Sequence, residues 1–78
     1  MRDVIEALDP VVLTTDLPEY HLQAGDVGTV SLVHRHGGYE VKFAALDGET
    51  VAEVTVAAEH VRPVGHREIA HVRAVPPA

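Results

Sequence analysis

"VGTVSLVHRHGGYEVKF", residues 27–43, decides the fold class. Its first half is rich in valine and its second holds Tyr39, Val41 and Phe43, β-branched and aromatic residues that suit a pleated surface, and the two halves flank Gly37-Gly38. On the first half, Val27, Thr29, Ser31 and Val33 share one face, and Gly28, Val30, Leu32 and His34 share the other. On the second half the alternation is cleaner, with Tyr39, Val41 and Phe43 on the apolar face. Two alternating runs around Arg35-His36-Gly37-Gly38 read as a β-hairpin, because Gly-Gly adopts positive φ without steric cost.

The rest of the chain extends this reading in both directions. Upstream, residues 3–8 read as a helical turn or an extended lead-in. Pro10 blocks any further helix and opens "PVVLT", residues 10–14, as a first strand. Residues 15–25 form a long polar connection anchored by Leu17, Tyr20 and Leu22, and Gly25-Asp26 turns the chain into the second strand. Downstream, Asp47-Gly48 is a strong hairpin signal and introduces "TVAEVTV", residues 50–56, as a fourth strand. Val51, Val54 and Val56 are its core residues, and a slip in alternation near Ala52-Glu53 suggests a bulge. Residues 57–60 read as one tight helical turn, and residues 61–64 as a short closing strand with Pro63 at an edge. Five short strands on about sixty residues are too few for a sandwich, so the expected fold is all-β: a small five-stranded SH3-like barrel with a short helical turn before the last strand. The barrel is expected to span residues 1–64. Residues 65–78 are a C-terminal extension, read as an added strand or a partner-binding tail.

Composition narrows the function classes. The chain has 78 residues, enough for one domain with a thin stability margin. It has no cysteine, which excludes a disulfide staple, a thiolate zinc site and an iron–sulfur cluster. Two acids near the start and no long apolar run argue against a signal peptide, and no stretch approaches the roughly 20 apolar residues of a membrane span. The expected location is the cytoplasm, with no membrane partner. Twelve Asp and Glu against six Lys and Arg give a formal net charge of −6. The basic residues are scattered singly, whereas phosphate-binding surfaces cluster them, so nucleic acid is not the expected partner.

A wider pattern carries a resemblance. Asp9-Pro10-Val11-Val12-Leu13 and Thr15-Asp16-Leu17-Pro18-Glu19 are followed by "LQAGDVGTV" (22–30), "YEVKF" (39–43), "DGETVAEVTV" (47–56) and "EHVRPV" (59–64). Together these resemble the bacterial DUF4926 family, small proteins of unknown function, over residues 9–64. The resemblance implies an SH3-like barrel, as the strand count does independently, and it implies no activity. The tail from Gly65 lies outside it.

The candidate chemistry is sparse. Ser31 is the only serine and falls mid-strand, with no nucleophile elbow around it. Asp16, Glu19 and Asp26 gather on one loop, but a one-layer barrel leaves little room for a pocket in which they would act as acid and base. No catalytic residue and no enzymatic activity are expected. His34 and His36, at i and i+2, would face one way on a strand and are the metal candidates; zinc or nickel needs three or four protein ligands, and no spacing here supplies the others. No metal or cofactor is expected. Gly25 and Gly28 read as architectural, because a phosphate cradle needs a helix start or a nest of amides, whereas this stretch leads into a strand and Asp26 would repel the anion.

What remains is a surface. In an SH3-like barrel the first long connection walls the usual groove, and here it presents Leu17, Pro18, Tyr20 and Leu22 inside an acidic rim. The tail adds Ile69, Val72 and Val75 at three-residue spacing. The leading expectation is a non-enzymatic protein-interaction or accessory module, whose partner is another protein or a second copy of itself. The alternatives are a nucleic-acid-binding KOW-like barrel and a His-based metal-binding protein.

Overall fold

The valine-rich segments all become strands. The computed structural model describes residues 4–77 and contains β1 (Pro10–Leu13), β2 (Val27–Val33), β3 (Tyr39–Ala44), β4 (Thr50–Val56) and β5 (Val61–Pro63). They form one antiparallel sheet in the order β4-β3-β2-β1-β5. A 3-10 turn at Ala58–His60 precedes β5, as expected.

Closure of this sheet into a barrel follows from chain length. β4 and β5 lie at opposite ends of the strand order, yet only residues 57–60 connect them. Flat, the two edges would stand roughly 19 Å apart. The link from Val56 to Val61 could reach at most about 18 Å fully extended, and a 3-10 turn rising about 2 Å per residue covers far less. The sheet therefore curls. The curl is visible in the core, where Val54 and Val56 of β4 and Val61 of β5 join one cluster with Val11, Leu13, Val30, Val41 and Phe43. The last turn is tied to β1, since the Thr14 amide donates to His60 O (2.8 Å) and the Thr14 hydroxyl to Glu59 O (3.2 Å).

Gly28 is the position where β2 lies closest to the core of β3. A Cβ there would lie 2.5 Å from Val41 Cγ1 and 2.9 Å from two ring atoms of Phe43. Pro10 sits at the first residue of β1, beyond the reach of β5, which pairs only with Val11, Val12 and Leu13. Its missing N–H therefore breaks no ladder bond on that side.

Two local expectations change. The alternation of β2 does not run through to its end: Val30 pairs with Val41 but Leu32 pairs with Glu40, so Ser31 is an extra residue. The bulge reverses the facing, and Leu32 is 52% exposed instead of following Val30 into the core. The other bulge lies at Val51, where the partners of Phe43 and Ala44 are Ala52 and Thr50. The lead-in before β1 is also more than a connection. Ile5 is buried in the core cluster, and the Leu8 amide donates to Val30 O (2.7 Å). Residues 65–77 form no strand within the chain.

Gly28→Ala is expected to destabilise the barrel by roughly 1–3 kcal/mol through overpacking against Val41 and Phe43. Gly25→Ala meets no atom within 4 Å and bears only the strain of φ +98°, about 1–2 kcal/mol. Urea midpoints of the two variants check this. A Gly28→Ala variant as stable as the wild type would contradict the close approach.

Candidate functional site

The connection between β1 and β2 is a structured loop. The expectation of a connection without regular structure fails at its middle, where Pro18–Tyr20 forms a 3-10 turn. Proline favours the start of such a turn because its φ is preset and its missing N–H is not needed there. The turn closes with the Tyr20 amide donating to Leu17 O (3.0 Å) and the His21 amide to Pro18 O (3.1 Å). His21 ends it in the left-handed region at φ 60°. Leu17 and Leu22 then pair across the base of the turn, each amide donating to the other's carbonyl at 2.9 and 3.1 Å.

This pairing divides the four loop residues. Leu22 is buried in the core and Leu17 packs against it, so both act in holding the loop to the barrel end. Pro18 and Tyr20 are exposed, Tyr20 by 44%. The acids have structural duties too. Asp16 accepts from the Ala24 amide (2.9 Å) and Asp26 from the Gln23 amide (2.9 Å), which satisfies two loop N–H groups. The Asp26 carbonyl accepts from the Leu13 amide (2.8 Å), joining the loop to β1.

Arg73 adds a contact that sequence reasoning missed. The tail returns across the barrel end, and Arg73 Nε donates to Asp26 Oδ1 (2.9 Å) while Nη2 donates to Asp26 Oδ2 and to the His21 carbonyl (3.0 Å). This is a two-pronged guanidinium–carboxylate contact with a third bond to backbone. Arg73, Pro76, Asp16, Pro18, His21, Leu22 and Gln23 line an open groove beside it. A separate ion pair, Arg62 with Glu68, pins the start of the tail at 2.7 Å on both prongs. The other tail residues are divided: Ile69 is 93% exposed, Val72 is 72% exposed and Val75 is half-buried. No sequence signal marked Arg73, because the pair spans 47 residues and the three-residue spacing of Ile69, Val72 and Val75 does not fix the path of the tail.

The histidines do not share a strand face, because β2 ends at Val33 and both lie in the turn that follows. His34 Nε2 is 3.7 Å from Glu40 Oε2, whose nearer partner is the Thr55 hydroxyl donating at 2.9 Å. His36 is exposed. Among the described residues, no three His, Cys, Asp or Glu side chains are gathered where they could hold a metal ion. Ser31, exposed on the outer face, donates to Glu53 Oε2 (2.9 Å) and to the Glu40 carbonyl (3.2 Å).

The electrostatics of the groove centre on Asp26. Partial burial pushes its carboxyl pKa up, but the hydrogen bond from Arg73, the Gln23 amide and the Arg73 charge outweigh that and leave it below the ordinary value of 3.8. On the exposed tail, the hydrogen bond from Arg62 and the Gly65 amide lower Glu68 to about 2. Both carboxylates are depressed, so the stability they contribute is present above the unfolded-state pKa and is lost as pH falls through the folded one. For Asp26 that loss falls below pH 3.8. A part-exposed ion pair of this kind contributes on the order of 1 kcal/mol. Arg73→Ala is expected to raise the Asp26 midpoint, since burial then acts without its counter-charge. Carboxyl 13C titration of both chains checks the direction, and an unmoved midpoint would show that the pair does not form in solution.

Among the described residues no helix is long and apolar enough to cross a membrane. No curated protein and no solved structure matches the chain. The family described as a domain of unknown function (DUF4926) matches residues 7–63, which covers all five strands and the whole first loop and stops before the tail. The chain belongs to the DUF4926 family.

Proposed function

We propose that the chain is a non-enzymatic interaction module that takes a segment of another protein on its first loop. The observation that carries this reading is the presentation of Pro18 and Tyr20. They stand in solvent on a turn whose neighbours, Leu17, Leu22, Asp16 and Asp26, are already engaged in holding it. An aromatic ring on a pre-ordered turn loses little entropy on binding and so suits an anchor. The exposed acids Asp16 and Glu19 beside the turn favour a basic or neutral segment over an acidic one. Nucleic acid fits poorly, because Arg62 and Arg73, two of the six Lys and Arg residues, are already paired with Glu68 and Asp26.

Tyr20→Ser is expected to abolish retention of a protein partner from a lysate of the native cell while leaving thermal stability within about 0.5 kcal/mol, as suits an exposed side chain. Partner retention unchanged by this substitution would contradict the reading. Self-association is the second reading, favoured by the exposure of Ile69 and Val72. Light scattering of the wild type against an Ile69→Ser, Val72→Ser double variant decides it: a dimer that becomes a monomer supports it, and a wild-type monomer removes it.

A further inference from the structure

We propose that the loop edge at His21 and Asp26 is a recognition site for an extended segment that presents an arginine three residues ahead of a proline, and that the chain's own tail docks there as an internal competitor, with Arg73 and Pro76 walling the open groove beside it. The proposal rests on the loop being an interaction surface and names the ligand chemistry of that surface.

The chemistry is read from the occupant. Arg73 meets Asp26 with Nε and Nη2 and reaches the His21 carbonyl with Nη2. Three donors in a planar fork match a carboxylate and an adjacent carbonyl, a pattern that lysine, with one point charge, cannot reproduce. Pro76 lines the same groove with Pro18 and Leu22. A proline in an extended segment has its φ preset and carries no N–H to leave unpaired, so it docks with little loss of entropy.

Three observations indicate that the tail is exchangeable. Among the described residues, none after Val61 belongs to the core cluster, so the core is completed without the tail. Ile69 and Val72 gain almost nothing from the docked position, being 93% and 72% exposed. The loop residues that line the groove, Asp16 to Gln23, and Asp26 beside it lie inside the family match to residues 7–63, whereas Arg73 and Pro76 lie beyond it. The loop side of the site thus belongs to the shared domain and the tail docked against it does not. The net charge of −6 further favours a ligand that brings a cation.

A tethered occupant competes at an effective concentration on the order of millimolar, so an incoming segment binds the intact chain more weakly than an emptied one. The probe is a synthetic peptide, IAHVRAVPPA, copied from residues 69–78. It is titrated into the 15N-labelled full chain and its Arg73→Ala variant. In the variant, the peptide is expected to shift the amides of Leu22, Gln23 and Asp26, with an affinity at least about tenfold tighter than for the wild type. A peptide with alanine in place of its arginine is expected to leave those amides unmoved, and one with lysine to bind several-fold more weakly. Asp26→Asn on the Arg73→Ala background is expected to abolish the shifts.

Absence of shifts in the variant at millimolar peptide would overturn the proposal, as would equal affinity for both chains. If Arg73→Ala does not fold, Arg73→Gln, which keeps the stem, takes its place: a Gln variant that folds and binds the peptide supports the proposal, and one that also fails to fold overturns it, since the tail is then part of the barrel. If the peptide fails while Tyr20→Ser still loses a partner, the arginine site falls and the interaction surface stands. If both fail, the surface falls too.

Discussion

Four residues, 57–60, carry the chain from one edge of the sheet to the other, and their short reach makes the sheet a barrel. With β4 and β5 drawn together, Val54, Val56 and Val61 complete a core that Val11, Val30 and Val41 occupy from the middle strands. A curl this tight needs a place where one strand presses on the next without a side chain between, and Gly28 against Val41 and Phe43 is that place. The bulges at Ser31 and Val51 take up the remaining mismatch between a pleated ladder and a sharply bent one. No polar side chain is buried among the described residues, so the interior specifies the fold by shape and hydrophobicity alone.

The first loop inherits its order from this frame. Its ends are fixed by Leu13, whose amide donates to Asp26 and whose carbonyl accepts from Gly25, and its middle by the Leu17–Leu22 pair. Asp26 is where fold and surface meet. Its backbone holds β1, one carboxylate oxygen holds the Gln23 amide, and both oxygens receive Arg73. A side chain that serves the loop and an incoming guanidinium at once is pre-positioned for the second task by the first.

The sequence made the hairpins legible because their signals are local. Tyr39, Val41 and Phe43 alternate without interruption, Asp47-Gly48 sits where the chain must reverse, and Pro63 marks a short edge strand. Leu32 was misplaced because a bulge depends on how β2 and β3 match over their whole length, which alternation within one strand does not contain. The burial of Ile5 was not legible because Val4, Ile5 and Leu8 fit a helical turn and an extended lead-in equally well, and neither fixes which of them meets the core. Of the candidate surface, the loop residues were visible as a group, but the division of Leu17 and Leu22 from Pro18 and Tyr20 needed the pairing across the turn. The Arg73–Asp26 contact was out of reach, since a single arginine among scattered charges has many acids to choose from.

The tail lies on the first loop with Arg73 at Asp26. Because the chain contains no cysteine, Ala74→Cys creates a single attachment point for a nitroxide label. Paramagnetic broadening should then be strong for the amides of residues 16–26 and weak for the hairpin tip at residues 46–49, and adding Arg73→Ala should remove the difference. Broadening that is uniform along the chain, or unchanged when Arg73 is lost, would contradict the account.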